Sequence, residues 1–238
     1  MRTQEPLILG FDTSGDGGCV CLSQGQTLLG EELLEGSSTP SEQILQAADQ
    51  LLRLAKRDLC ELHALAVVRG PGSFTGVRVG LGTVQGLALA LGKPVIALSS
   101  LDVLAQNAGG HQGVVWALID ARKQEVYAAS YRSDGQSLQP LAAEMVIRPE
   151  RLLDRMTEPA LLLGSGAVAY RQLFASVAAV CVGQGGPEQH RLRLSRALVQ
   201  MKTAFCRGEL LTAEELRPVY LRPSEAEVAR EQRLLQGR

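Results

Sequence analysis

Apolar and polar positions follow two regimes along this 238-residue chain. Short continuous apolar runs, which mark strands covered on both faces, alternate with stretches where apolar residues return every three or four positions. The first run, Leu7-Ile8-Leu9-Gly10-Phe11, ends at Asp12-Thr13-Ser14 and the turn cluster Gly15-Asp16-Gly17-Gly18. Two β-prone runs follow, Cys19 to Ser23 and Thr27 to Leu34, so the opening reads as a three-stranded antiparallel meander. Thr39-Pro40-Ser41-Glu42 then supplies a capping threonine, a proline at the first helical position and a glutamate three residues after the cap. In the helix it opens, Ile44, Leu45, Ala48, Leu51, Leu52 and Ala55 form one apolar face that must be buried against something. Leu65 to Val68 reads as a parallel-type strand, Gly76 to Leu91 as a helix and Val95 to Leu98 as the strand that completes a βαβ unit.

The pattern then restarts. Val114 to Ile119 is a strand ending at Asp120, and Glu125 to Tyr131 returns after the turn Ala121 to Gln124. A strand ending in aspartate and returning as a hairpin thus occurs twice, which predicts a duplicated unit and two related lobes. The expected division is an N-terminal lobe of residues 1–107, joined by the closing segment 208–238, and a C-terminal lobe of residues 108–207. Within the second lobe, helices are expected at Pro149 to Arg155 and Ser195 to Arg207, and a strand at Leu161 to Leu163.

Composition changes this picture little. The apolar share of 45% supports a sizeable core, and 24 Lys+Arg against 25 Asp+Glu leave no basic excess to hold a phosphate backbone unaided. The five cysteines, Cys19, Cys21, Cys60, Cys181 and Cys206, lack Cys-x-x-Cys spacing and read as reduced thiols, most of them buried. His63, His111 and His190 are far apart and read as solvated surface groups. No leader pattern opens the chain and no run approaches the roughly 20 apolar residues of a membrane span, so a cytoplasmic protein is expected.

The most distinctive stretch is Arg69-Gly70-Pro71-Gly72-Ser73-Phe74-Thr75-Gly76-Val77-Arg78-Val79-Gly80-Leu81-Gly82, a glycine-rich turn leading into a helix. Such turns bring backbone amides to anions or allow close helix packing, and the residues alone leave both readings open. Gly82, Gly86 and Ala90 recur every four residues and leave one stripe of the helix nearly free of side chains. This run, with Gly92-Lys93-Pro94-Val95-Ile96-Ala97-Leu98-Ser99-Ser100-Leu101, resembles the signature of the TsaB family. Gly10 to Ser14, Ile119 to Tyr127 and Pro218-Val219-Tyr220-Leu221-Arg222 agree with that family in the same order.

The resemblance implies an α/β protein of the actin-like, sugar-kinase-like (ASKHA) fold, with two ribonuclease-H-like lobes of mixed sheets flanked by helices. It also implies a paralogous catalytic partner, TsaD, which transfers threonylcarbamoyl to the tRNA adenosine beside the anticodon, and an ATPase, TsaE, in the larger complex. TsaD-type proteins carry His-x-x-x-His after the strand that corresponds to Val95–Leu98. This chain has Ser100 and Leu104 there, which offer no metal site. A non-catalytic scaffold subunit without cofactor or metal is therefore expected, pairing with TsaD or with itself and meeting tRNA only through the complex. The expected interface is Ile44, Ala48, Leu51, Gly76, Gly80, Thr83, Gly86 and Ala90. Asp12, Thr13, Ser14 and Asp120 are the candidates for a residual nucleotide pocket, although an aspartate at a strand end also caps its own turn. The competing expectation is an ATP-dependent kinase-like or metallopeptidase-like enzyme of the same superfold.

Overall fold

The computed structural model describes residues 5–15, 17–34, 40–176 and 180–222, the side chains of 40–42 excepted. The expected cap at Thr39 and the last part of the closing segment, residues 223–238, lie outside them. The first sheet holds β1 (Leu7–Gly15), β2 (Gly17–Gln24), β3 (Thr27–Leu34), β4 (Ala64–Val68) and β5 (Val95–Leu98) in the order β3-β2-β1-β4-β5. β1 runs antiparallel to β2 and parallel to β4, at the centre. Strand periodicity sends Leu7, Leu9 and Phe11 to one face and Ile8 to the other, and each face has its own cover. On the first face lie α1 (Pro40–Leu54) and α2 (Phe74–Leu91). Ile44, Leu51, Leu81 and Val84 there meet Leu9, Phe11, Leu65 and Val67.

The second sheet holds β6 (Gln112–Arg122), β7 (Glu125–Asp134), β8 (Leu138–Pro140), β10 (Ala160–Leu163) and β11 (Val180–Val182), with β9 (Met145–Ile147) paired to β7. Its order, β8-β7-β6-β10-β11, repeats the first sheet: third, second, first, fourth, fifth. The senses repeat too, since β6 is antiparallel to β7 and parallel to β10. Between the sheets α3 (Ser100–Ala105) packs Leu101, Leu104 and Ala105 onto Ala117, Tyr127 and Ala129. The far face is covered by α4 (Pro149–Leu153), α5 (Ser165–Ala169) and α6 (Arg171–Ala175), through Leu152, Ala167 and Phe174.

Three expectations are corrected. The helix read from Ser195 to Arg207 is a 3-10 turn at Leu194–Arg196 followed by α7 (Leu198–Arg207). Leu194, Ala197 and Met201 cover the open face of the first sheet, against Ile8, Cys19 and Cys21, so this stretch packs with residues placed in the other lobe. Among the cysteines only Cys19 and Cys21 are buried, where burial pushes both thiols up; Cys60, Cys181 and Cys206 are exposed. And α2 is, among the described residues, a helix long and apolar enough to cross a membrane, although it lies along the first sheet with Val77, Leu81, Val84 and Ala88 buried.

Candidate functional site

β1 and β6 end in the same local structure. The Ser14 N–H donates to Asp12 Oδ1 at 2.9 Å, and the Arg122 N–H donates to Asp120 Oδ1 at 2.9 Å, each two residues on in a strand that breaks register at that point. These are Asx turns, so both aspartates do cap their own chain. Asp12 is 2% exposed and also accepts from the Ser14 hydroxyl at 2.6 Å. Burial raises its carboxyl to about 6, against the Ser14 hydrogen bonds and the nearby Arg191 charge, which lower it. Asp120 is more open, donates its N–H to Ser165 Oγ at 3.1 Å and faces the Arg122 guanidinium at 3.4 Å.

Both turns face one cavity of about 790 Å³. Asp12, Ser14 and Asp120 line it; Thr13 does not, because its hydroxyl donates to the Gly76 carbonyl at 2.6 Å and ties β1 to α2. The rest of the lining comes from distant segments, with Leu104 from α3, Val168 and Ala169 from α5, Arg171 from α6, and His190, Arg191 and Leu192 from the return toward α7. His190 is not a solvated surface group. The Gly164 N–H donates to its Nδ1 at 3.1 Å, so Nε2 carries the hydrogen toward the Gly183 carbonyl at 2.8 Å. His63 is likewise committed, accepting from the Leu7 N–H at 3.0 Å.

The glycine-rich turn serves packing. A side chain at Gly72 would meet the Ser14 carbonyl at 2.3 Å, one at Gly76 the Thr13 carbonyl at 2.0 Å, and one at Gly80 the Thr13 hydroxyl at 2.5 Å. Ser73 caps α2 by accepting from the Gly76 N–H, and its own N–H donates to the Ser14 carbonyl at 2.7 Å. Ser100 is fully buried and donates to the Pro71 carbonyl, while Leu104 is 2% exposed in the core beside the cavity.

The expected interface residues separate into two sets. Ile44, Ala48 and Leu51 are buried under α1, and Gly76 and Gly80 press on β1, so these five present little or nothing to a partner. The helical periodicity that singled them out is the ordinary mark of a core face. Thr83 is half-buried, whereas Gly86 and Ala90 are exposed beside Gly82 and Leu89, the last 66% exposed. Side chains built at Gly82 or Gly86 would meet nothing within 4 Å.

Two sheets of one strand order, with their first strands ending in matched aspartate turns at a shared cavity, define an actin-like, sugar-kinase-like protein of two ribonuclease-H-like lobes. Over residues 36–185 the chain matches the family described as TsaD, tRNA N6-adenosine threonylcarbamoyltransferase. It is 34% identical over 229 residues to the tRNA threonylcarbamoyladenosine biosynthesis protein TsaB of Escherichia coli, covering 92% of this chain and 96% of that one. It is 35% identical over 234 residues to TsaB of Haemophilus influenzae, covering 92% and 94%. Among solved structures, YeaZ from Pseudomonas aeruginosa superposes with a TM-score of 0.77 at 31% identity, covering 91% of this chain and all of that one. The chain belongs to the TsaB family.

Proposed function

We propose that this chain is a non-catalytic subunit of the machinery that makes threonylcarbamoyladenosine on tRNA in the cytoplasm. It pairs with a TsaD-type subunit that performs the transfer, works in a larger complex with a TsaE-type ATPase, and meets tRNA only through that complex. The observation that carries this reading is the fate of Ser100 and Leu104. At the two positions where TsaD-type chains place metal-binding histidines, one side chain is fully buried and bonded to Pro71, and the other is packed into the core. Neither offers a metal ligand, since the Ser100 hydroxyl is committed to the Pro71 carbonyl and Leu104 has no lone pair to give.

Pairing uses the exposed stripe Gly82, Gly86, Leu89 and Ala90 of α2, where the lack of side chains lets a second helix approach closely. The same stripe serves a second copy of this chain when the TsaD-type subunit is absent. Size-exclusion chromatography with light scattering on the mixed subunits tests both statements. A one-to-one complex is expected, and Gly86→Arg weakens it by on the order of 100-fold. The arginine projects into open space, so the circular dichroism of the variant stays that of the wild type. A complex that survives the substitution places the interface elsewhere.

A further inference from the structure

Pairing through α2 makes no use of the cavity at the ends of β1 and β6, whose walls have a definite chemistry. Its volume, about 790 Å³, is that of pockets that enclose small-molecule ligands. One wall is apolar, formed by Leu104, Ile119, Val168, Ala169 and Leu192. Another includes the glycines of the β1–β2 hairpin, Gly15, Gly17 and Gly18, and a side chain built at Gly15 would meet nothing within 4 Å.

Among the described residues, the charges along the lining do not cancel. Asp120 is offset by Arg122 at 3.4 Å, and Asp12 has the Arg191 charge beside it. His190 is neutral, since one ring nitrogen accepts from Gly164 and the other donates to Gly183. That leaves Arg171, exposed at the start of α6, without an ion pair among the described residues. One positive charge unmatched among the described residues, beside an apolar wall, favours a ligand with one negative charge and an apolar body.

We infer that this cavity binds a small organic monoanion, with its charge toward Arg171 and its apolar body on Leu104, Ile119, Val168 and Ala169. The inference is independent of pairing with a TsaD-type subunit, because it concerns the chain alone. The probe is 8-anilinonaphthalene-1-sulfonate, titrated into the purified full chain and followed by fluorescence. Saturable binding at one site is expected. Arg171→Glu weakens it at least tenfold by reversing the charge, and Ala169→Trp removes it by filling the cavity. Both positions are exposed, so melting temperature and circular dichroism should match the wild type. The uncharged analogue N-phenyl-1-naphthylamine binds at least tenfold more weakly than the sulfonate. If both variants bind the sulfonate like the wild type, the probe sits elsewhere and the site is refuted. If the neutral analogue binds as tightly, the cavity is apolar only and the anion subsite is refuted.

Discussion

Asp12 and Asp120 end matching strands in matching turns but differ in their access to water. Burial lifts the Asp12 carboxyl from 3.8 in the unfolded chain to about 6. The folded protein therefore holds that proton more tightly than the unfolded chain, a contribution to stability fully present below pH 3.8 and lost as pH rises through about 6. Asp12→Asn keeps the oxygen that accepts from Ser14 and removes the buried charge. The variant should gain up to about 3 kcal/mol over the wild type at pH 8, and the gain should vanish below pH 4. Urea denaturation at the two pH values measures it; an equal difference at both would mean that the carboxylate is not paying a burial cost. The two aspartates were legible in the sequence because each closes an apolar run. Their neighbours in the cavity were not, since Leu104, Arg171, His190 and Arg191 carry no local pattern and meet Asp12 only through the fold.

At the level of elements, the long apolar runs gave the central strands, because a strand buried on both faces has almost no other composition available. β8, β9 and β11 escaped that reading, being three residues each and at most half-buried along much of their length. The helix expected from Ser195 was legible in kind but not in extent, since the chain first makes a 3-10 turn that drives Leu194 into the sheet. The β6–β7 hairpin shows a local choice that opposes propensity. Its turn residues Lys123 and Gln124 have φ of 53° and 60°, and Arg122 has 61°, a left-handed conformation that asparagine and glycine adopt far more readily. Replacing the pair by Lys123→Asn with Gln124→Gly should stabilise the protein by about 1 kcal/mol. A chain of this length then melts about 2–4 °C higher. Calorimetry reads the change, and an unaltered melting temperature would show that contacts of the Lys123 side chain already offset the strain.

Across the whole molecule, two chain segments fasten the sheets together, and both lie late in the sequence. Residues 218–222 cross the glycine-rich turn: the Val219 N–H donates to the Arg69 carbonyl at 2.9 Å, and Tyr220 stacks on Phe74 at 4.8 Å. The strap then reaches the second sheet, where Arg222 bonds Glu125 at 2.9 Å and the Ala121 carbonyl at 3.0 Å. This accounts for the position of the closing motif, whose residues span from α2 to the β6–β7 hairpin. The other tie is the return from His190 to α7, anchored on β3 by Glu31. Its side chain, 2% exposed, accepts from Arg193 at 2.6 and 2.8 Å, from the Ser195 N–H at 2.8 Å and from the Ser195 hydroxyl at 2.7 Å. Arg193 also holds Glu188 at 2.7 Å, but Ser195 has no such second acceptor among the described residues, so removing Glu31 strands a backbone donor beside a half-buried cation. Glu31→Ala should therefore cost about 2–4 kcal/mol by urea denaturation. Hydrogen exchange should quicken together in β3 and in residues 194–198, because one carboxylate holds both. A loss below about 1 kcal/mol, or faster exchange in β3 alone, would show that the apolar contacts of Leu194, Ala197 and Met201 hold the return segment without the ion pair.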